Sequence, residues 1–306
     1  MASRHDVEFR SEGTRVRGHL YLPDGPGPHP ALAMAGGWCY VKELVLPEYA
    51  RVFAEAGVAV LAFDYRNFGE SEGEPRQHVD PWAQIEDYKN ALSWLETHDA
   101  IDRHRLGAWG ISYSGGHVLI VAATDPRVKC VVANIPVVDG HRTMQQVHGA
   151  LAFRKLEAAI IEDRRKRSAS GAHGYLPMSS DDPARELSTW PFPEVKEAFA
   201  ALQRTVAPNH EHRNTIASVE LLMSYDVAPF LPRILLPPVL VTVAERDDIT
   251  LWQEEIRVFN GIATPNKQLY LCRDTSHMTL YSNLTRLEQL AREGRAWVVR
   301  HLLGAA

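Results

Sequence analysis

Short apolar runs and amphipathic helical stretches alternate along most of this chain. The apolar runs are five or six residues long, which is typical of strands buried on both faces. They lie at residues 31–35, 58–63, 105–109, 128–133, 239–243 and 268–272. Apolar residues at helical spacing occupy the segments between them, at 46–56, 81–98, 118–123, 251–261 and 284–303. This alternation predicts an α/β fold with a mostly parallel central sheet and helices on both of its faces.

The amino-terminal segment has a different pattern. Residues 6–10 and 15–22 alternate apolar and polar side chains on either side of the turn-forming sequence Ser-Glu-Gly-Thr at 11–14. Alternation on both sides of a turn is typical of an antiparallel hairpin. With these two strands added, the central sheet is predicted to have about eight strands.

The alternation of strand and helix stops between residues 137 and 231. Three segments there have helical spacing, with loops rich in Ser, Pro, Gly and His between them and no strand pattern, namely 143–167, 193–204 and 214–225. The sequence therefore predicts a core domain of residues 1–136 and 232–306 and a helical lid insertion at 137–231. Four apolar residues of the insertion are candidates either for a substrate pocket or for its own small core, namely Trp190, Phe192, Phe199 and Met223.

The charge of the chain argues against a nucleic-acid partner. Its 306 residues include 33 Lys and Arg against 38 Asp and Glu, a formal net charge of -5, which gives no basic footprint for phosphates. The basic run 164–167 is interpreted as the end of the long insertion helix, where cations suit the helix dipole. We see no signal peptide and no apolar run long enough to span a bilayer, so the expected location is cytoplasmic, with no membrane partner.

Metal and disulfide chemistry find little support in the sequence. The three cysteines, Cys39, Cys130 and Cys272, are scattered without a C-x-x-C pair, as expected for a reducing compartment. His210 and His212 are two positions apart and would point to different faces of a helix, so we do not interpret them as a metal pair. The prediction is a site without metal or organic cofactor.

One stretch carries the clearest chemical signal. Residues 110–116 read Gly-Ile-Ser-Tyr-Ser-Gly-Gly, between a predicted strand and a predicted helix. A sharp strand-to-helix turn exposes a serine hydroxyl and leaves amide N–H groups unpaired at the helix N-terminus, which suits a nucleophile. Ser112 is the candidate nucleophile, because it lies directly after the strand. Ser114 is the rival, since the pattern alone does not exclude it.

The later strands supply candidates for the acid and the base. The strand at 239–243 is followed by Asp247, and the strand at 268–272 is followed by His277. A serine nucleophile on such a turn requires an acid and then a base in this chain order, each on a loop after a later strand. His277 would take the proton from Ser112, and Asp247 would orient the imidazole. Asp248 and Asp139 are the alternatives to Asp247.

These motifs together resemble the α/β-hydrolase family over the whole chain except the insertion. The corresponding stretches are Gly-Gly-Trp at 36–38, Asp-Tyr-Arg-Asn-Phe-Gly-Glu-Ser at 64–71, the turn at 110–114, Ala-Glu-Arg-Asp at 244–247 and Ser-His at 276–277. The turn and the 64–71 loop further resemble a subgroup of fungal and bacterial hydrolases found beside polyketide pathways, some of them thioesterase-like. Three residues depart from the usual family pattern, namely Gly36, Asn67 and Ala244.

The resemblance also implies where a reacting oxyanion would bind. It places the two backbone N–H donors at Trp38, after the first strand-end motif, and at Tyr113, after the nucleophile. Because both donors are main-chain groups, the change at Gly36 leaves them intact. The alternative for Trp38 is a core aromatic side chain.

The sequence thus predicts a serine hydrolase that cleaves an ester, lactone or thioester through an acyl-enzyme. The expected partner is a small, largely apolar acyl substrate, and a homodimer is possible. The same three residues would also serve an amide, carbamate, peptide or carbon-carbon hydrolase. A non-catalytic binding protein with this fold is the alternative from another class.

Overall fold

The fold is built around one large sheet. The computed structural model describes residues 2–304. Within that range the strands, in chain order, are β1 (Ser3–Ser11), β2 (Thr14–Leu22), β3 (His29–Ala35), β4 (Ala59–Phe63), β5 (Ile101–Ile111), β6 (Val128–Asn134), β7 (Tyr175–Pro177), β8 (Arg213–Thr215), β9 (Val239–Ala244) and β10 (Lys267–Cys272). The central sheet has eight strands in the order β1-β2-β4-β3-β5-β6-β9-β10. Six neighbouring strands of this sheet run parallel to one another, namely β4, β3, β5, β6, β9 and β10. Strand β2 pairs antiparallel with both β1 and β4. The predicted hairpin and mostly parallel eight-stranded sheet are confirmed.

The helices cover both faces of this sheet. In chain order they are α1 (Leu46–Ala54), α2 (Pro81–Glu96), α3 (Tyr113–Thr124), α4 (Gly140–Ser170), α5 (Pro193–Thr205), α6 (Ile216–Met223), α7 (Trp252–Gly261), α8 (Thr279–Ser282) and α9 (Leu284–Val298). Helix α1 packs with α9, and α2 packs with α3. Right-handed crossovers put these two pairs on opposite faces, because the chain moves one way along the sheet through α1 and the other way through α2 and α3. Nowhere in residues 2–304 is a helix both long and apolar enough to cross a membrane.

The strand register gathers the loops of interest at one edge of the sheet. Ala35 at the end of β3 pairs with Gly110, and Ile111 at the end of β5 pairs with Asn134. The ends of β9 and β10, Ala244 and Cys272, are opposite each other as well. The loops after β3, β5, β9 and β10 therefore leave the sheet side by side. This edge is where ligands bind in open α/β sheets.

Strand β5 begins earlier than predicted. The apolar pattern places its start at residue 105, whereas the strand begins at Ile101, which pairs with His29. The pairing register shifts before Ala31, so the first residues of β5 form an irregular extension. The sequence between Ile101 and Leu106 is polar and partly exposed, so it lacks the apolar run that marks the rest of the strand.

The segment between β6 and β9 contains strands that the sequence did not predict. β7 and β8 form a two-stranded antiparallel ladder there, with Leu176 opposite Asn214. Three-residue strands are too short to show an alternating pattern. The helix predicted from residue 214 therefore begins at Ile216, with Thr215 as its N-cap residue accepting a hydrogen bond from the Ser218 N–H.

The basic run of the insertion joins two of its helices. Helix α4 is kinked at Gly149 and continues to Ser170, three residues beyond the predicted end. Arg164 and Arg167 both donate hydrogen bonds to the carboxylate of Glu220 on α6. These cations therefore hold α4 against α6, in addition to lying near the end of α4.

Candidate active site

Ser112 lies at the sharp turn between β5 and α3. Its backbone is in an unusual conformation, with φ 59° and ψ -119°. Such a conformation costs a non-glycine residue about 1–3 kcal/mol, and surrounding contacts must hold it. The Ser112 N–H donates to the Asn134 carbonyl at 2.9 Å, and its own carbonyl accepts from the N–H groups of Gly115 and Val137, both at 3.0 Å. The strain is thus fixed by the ends of β5, β6 and α3, which turn the hydroxyl away from the sheet.

Close backbone approach explains two of the neighbouring glycines. A Cβ added at Gly110 would lie 2.2 Å from the carbonyl oxygen of Ser114, inside contact distance. A Cβ added at Gly37 would lie 2.9 Å from Cβ and 3.2 Å from Oγ of Ser112. The turn after β3 therefore lies directly against the Ser112 hydroxyl, and it can do so because position 37 has no side chain.

Ser114, the rival to Ser112, points into the protein instead. Its hydroxyl accepts the N–H of Ile111 at 2.8 Å and donates to the carbonyl of Ala35 at 2.8 Å. The side chain is completely buried and connects the ends of β3 and β5. Ser114 thus has a structural role, at the position where the usual motif has glycine.

Asp247 and His277 meet at the same edge of the sheet. His277 Nδ1 lies 2.7 Å from Asp247 Oδ2. The other carboxylate oxygen, Oδ1, accepts the N–H groups of Ile249 at 3.0 Å and Thr250 at 2.8 Å. Burial by itself would raise the pKa of Asp247, but the charge of His277 and these hydrogen bonds outweigh burial and lower it. Asp247 is therefore held as a carboxylate against the imidazole.

The two alternative acids lie elsewhere. Asp248 is exposed to solvent, one residue beyond the contact with His277. Asp139 is the N-cap residue of α4, and its side chain accepts the Arg142 N–H at 3.0 Å. Asp247, rather than Asp248 or Asp139, therefore lies against His277.

Ser112 and His277 line the same cavity. Its other lining residues are aromatic or aliphatic and come from both the core and the insertion, namely Trp38, Tyr40, Met178, Trp190, Val195, Phe199, Ile249, Met278 and Tyr281. Ser112 is 7% exposed and His277 is 4% exposed, so both side chains are nearly enclosed. Of the four candidate pocket residues in the insertion, Trp190 and Phe199 are in this wall. Phe192 and Met223 are partly buried and pack against the core.

The imidazole has a second polar neighbour in this cavity. His277 Nε2 lies 3.4 Å from the hydroxyl oxygen of Tyr281, one helical turn further along the chain. The two rings are stacked, with centroids 5.5 Å apart and an interplanar angle of 24°. Sequence reasoning did not single out Tyr281, because a tyrosine at helical spacing after a histidine is equally typical of a packed helix face.

The two predicted oxyanion donors belong to the two turns that meet at Ser112. Tyr113 is the first residue of α3, so its N–H has no partner within the helix. Trp38 follows Gly37 in the turn after β3, and its indole Nε1 donates to Asn214 Oδ1 at 3.0 Å. The indole is thus anchored to β8 of the insertion, while the backbone of the same turn lies against Ser112.

A buried ion pair supports the turn that carries Trp38. The Asp64 carboxylate accepts the backbone N–H of Lys42 at 2.6 Å and the Lys42 ammonium at 3.0 Å. The same carboxylate accepts the N–H of Glu70 at 3.0 Å. Burial raises the pKa of Asp64 to about 6, although Lys42 acts in the opposite direction. The 64–71 loop therefore braces the turn after β3, a role for Lys42 that no sequence pattern indicated.

Three other histidines have protein partners. His117 is buried in α3 between the hydroxyl of Tyr225 at 2.9 Å and Oε1 of Gln84 at 3.0 Å. Burial lowers the pKa of His117 to about 3, so it is neutral in the folded protein. His210 and His212 lie in the loop before β8 and not on a helix, with ring centroids 5.7 Å apart. In residues 2–304, no three His, Cys, Asp or Glu side chains are grouped to hold a metal ion.

Comparison with known proteins gives the family. The model of the X-Pro dipeptidyl-peptidase (S15) family matches residues 12–279. The chain belongs to the S15 family. It is therefore a hydrolase, and the predicted α/β-hydrolase fold is confirmed by the crystal structure of the α/β hydrolase GrgF from Penicillium sp. sh18. That structure superimposes with a TM-score of 0.83 at 24% identity, over 98% of this chain and 99% of the other.

This chain is also similar to a fungal thiohydrolase and to a fungal polyketide transferase. The thiohydrolase aneE of Aspergillus aculeatus is 33% identical over 281 residues, which are 89% of this chain and 86% of that protein. The polyketide transferase af380 of Aspergillus fumigatus is 29% identical over 98% of this chain and 99% of its own length. The resemblance to the polyketide-associated subgroup is thereby confirmed.

Proposed function

We propose that Ser112, His277 and Asp247 form a catalytic triad that cleaves an ester or thioester through an acyl-enzyme. The observation that carries this proposal is the joint placement of the three residues. Ser112 is held in a strained turn at the cavity, His277 lines the same cavity, and Asp247 Oδ2 is 2.7 Å from His277 Nδ1. Strain of this kind persists where the surrounding structure enforces it, and it is concentrated at functional sites.

The reaction would proceed in two halves. Ser112 Oγ attacks the acyl carbon while its proton passes to His277 Nε2, and the tetrahedral intermediate then expels the leaving group, which takes that proton. In the second half, water gives its proton to His277 Nε2 and attacks the acyl-enzyme, and the proton returns to Ser112 Oγ as the acid is released. Asp247 stabilises the imidazolium in both halves. The N–H groups of Trp38 and Tyr113 would donate to the oxyanion in each intermediate.

We further propose that residues 137–231 act as the lid of a core formed by 1–136 and 232–306. Four residues of that segment line the cavity, namely Met178, Trp190, Val195 and Phe199. A lid that encloses the reacting groups excludes water and strengthens the electrostatic interactions of the site. Its apolar wall selects the acyl group by shape and hydrophobic contact.

A largely apolar acyl group fits this cavity better than a dipeptide. The substrate of a dipeptidyl-peptidase has a charged amino terminus, which needs a carboxylate or several carbonyl acceptors in the pocket. The residues that line the cavity include neither Asp nor Glu. The name of the similar thiohydrolase, at 33% identity, supports a thioester as the bond that is cleaved.

Acyl transfer to an alcohol or amine is a second candidate function. The similar polyketide transferase supports it, because the same acyl-enzyme can react with an acceptor other than water. The nearly enclosed Ser112 and His277 are compatible with either acceptor. Product analysis after single turnover, with and without an added alcohol, would separate hydrolysis from transfer.

A fluorophosphonate probe followed by mass spectrometry tests the proposal most directly. The wild-type protein should be labelled on Ser112, whereas Ser112→Ala should remain unlabelled with an unchanged circular dichroism spectrum. Unlabelled wild-type protein would support the non-catalytic alternative and contradict the triad. Parallel assays with matched ester, thioester, amide and diketone substrates would then identify the bond. Cytoplasmic location and a homodimer stay predictions, and light scattering of the purified protein would test the homodimer.

A further inference from the structure

A buried glutamate lies behind the Asp247–His277 pair. Glu255 is in the first turn of α7 and is 0% exposed. Its Oε1 accepts the hydroxyl of Thr250 at 2.6 Å. The Thr250 N–H donates to Asp247, and the hydroxyl oxygen of Thr250 is 3.4 Å from His277 Nδ1. Glu255 is thus connected to both members of the pair through one threonine.

The Glu255 carboxyl is also near enough to the Asp247 carboxylate for their charges to interact. An ionised carboxyl group can only accept hydrogen bonds, and burying it without partners is costly. The Oε2 atom of Glu255 is buried and has no hydrogen-bond partner among residues 2–304. A proton on Oε2 would remove the charge of this unpaired, buried group.

The charges around this pair indicate which carboxyl carries the proton. Asp247 faces His277 and accepts two backbone N–H groups, so its ionised form is stabilised. Burial, and then the charge of Asp247, raise the pKa of Glu255 well above its ordinary value. Burial is the main cause that raises the pKa of the thiol of Cys272, at the end of β10, to about 12. The thiol is therefore neutral and adds no charge to the cluster.

We propose that Glu255 is a positioning residue of this site, which in its protonated form accepts the hydroxyl of Thr250 and thereby holds the Thr250 N–H against Asp247. This inference rests on the proposed triad. The neutral form matters, because a second negative charge beside Asp247 would stabilise the imidazolium and remove the base form of His277. Glu255 therefore fixes the position of Asp247 without adding to its charge.

The rate of fluorophosphonate labelling, measured against pH, tests this role without knowledge of the substrate. Glu255→Gln keeps the shape of a neutral carboxyl group, so the labelling rate and the lower-pH limb of its profile should be unchanged within error. Glu255→Ala removes the acceptor of the Thr250 hydroxyl and should lower the rate about tenfold at every pH, as expected for a lost buried hydrogen bond. Glu254→Gln is the matched control, since the adjacent Glu254 instead pairs with Arg142 and Arg257.

Two results would overturn the proposal. If Glu255 were ionised, Glu255→Gln would move the lower-pH limb down by about one pH unit or more, because a negative charge next to the imidazole would be lost. Full labelling of Glu255→Ala would also contradict it. Should the alanine variant fail to fold, the infrared difference spectrum between wild type and Glu255→Gln decides, since the wild type must show the carbonyl band of a protonated carboxylic acid. Unlabelled wild-type protein would instead refute the triad itself, and the infrared band would still test the protonation of Glu255.

Discussion

Replacing Asp247 with asparagine should remove the catalytic base without changing the shape of the site. In the native structure, Oδ1 of Asp247 accepts the N–H groups of Ile249 and Thr250, and Oδ2 faces His277 Nδ1. An asparagine carbonyl would take the Oδ1 position, because two backbone donors need an acceptor there. Its NH₂ group would then point at Nδ1. The imidazole must accept at Nδ1 and carry its proton on Nε2, so it can no longer take a proton from Ser112.

The structure sets the size of this effect. Rotating the asparagine to restore the correct tautomer would leave the N–H groups of Ile249 and Thr250 buried and unpaired. Each unsatisfied buried donor costs about 1–3 kcal/mol, so the productive arrangement lies about 2–6 kcal/mol above the unproductive one. At about 1.4 kcal/mol per factor of ten, the rate should fall by roughly 30-fold to 20,000-fold.

The fluorophosphonate labelling rate and ester turnover would measure this loss. Asp248→Asn is the matched control, because Asp248 is the adjacent aspartate and is exposed. Nitrogen NMR of His277 should show the proton moving from Nδ1 to Nε2 in Asp247→Asn. The reasoning is refuted if Asp247→Asn loses less than about tenfold in rate. An equal loss in Asp248→Asn would refute it as well.

Three further predictions follow from buried contacts. Ser114→Ala should cost about 1–3 kcal/mol in urea unfolding, because the Ile111 N–H loses its acceptor, while Ser112 stays reactive to the probe. The pKa of His117 is lowered to about 3 in the folded protein. As pH falls, the unfolded chain therefore binds a proton at His117 before the folded protein does, and the free energy of unfolding decreases. From pH 7 to pH 5 the free energy of unfolding should decrease by about 2 kcal/mol more in wild type than in His117→Gln. An equal decrease in both proteins would contradict this account. Trp190→Ala should widen the cavity and favour bulkier acyl esters in kcat/KM, whereas Trp252→Ala, at a partly exposed position, should not.

The sheet and the order of the site residues are predictable from the sequence for a specific reason. Each strand that carries the site is a continuous apolar run, and the loop after it contains few residues capable of the required chemistry. Ser112, Asp247 and His277 each follow such a run, and parallel strands bring their carboxyl ends together. The apolar pattern therefore specifies the placement of these side chains as well as the sheet.

The support of the site could not be predicted in the same way. Lys42 and Glu255 are charged residues in segments that the pattern describes only as turn and helix, and both are buried by contacts distant in sequence. The strands β7 and β8 are three residues long, so their pairing depends on tertiary contacts instead of local preference. A charged residue becomes informative only when the fold shows what surrounds it.

Trp38 shows why specificity is hard to infer from the insertion alone. Its backbone lies in the turn against Ser112, while its indole contacts Trp190, with ring centroids 5.9 Å apart, and donates to Asn214. Asn214 also accepts the hydroxyl of Thr189 at 2.8 Å, so the same amide joins two parts of the insertion to this turn. A substitution that reshapes the acyl pocket near Trp190 therefore also acts on the turn that would bind the oxyanion. Changes in substrate range and in kcat are consequently expected to occur together in variants of this wall.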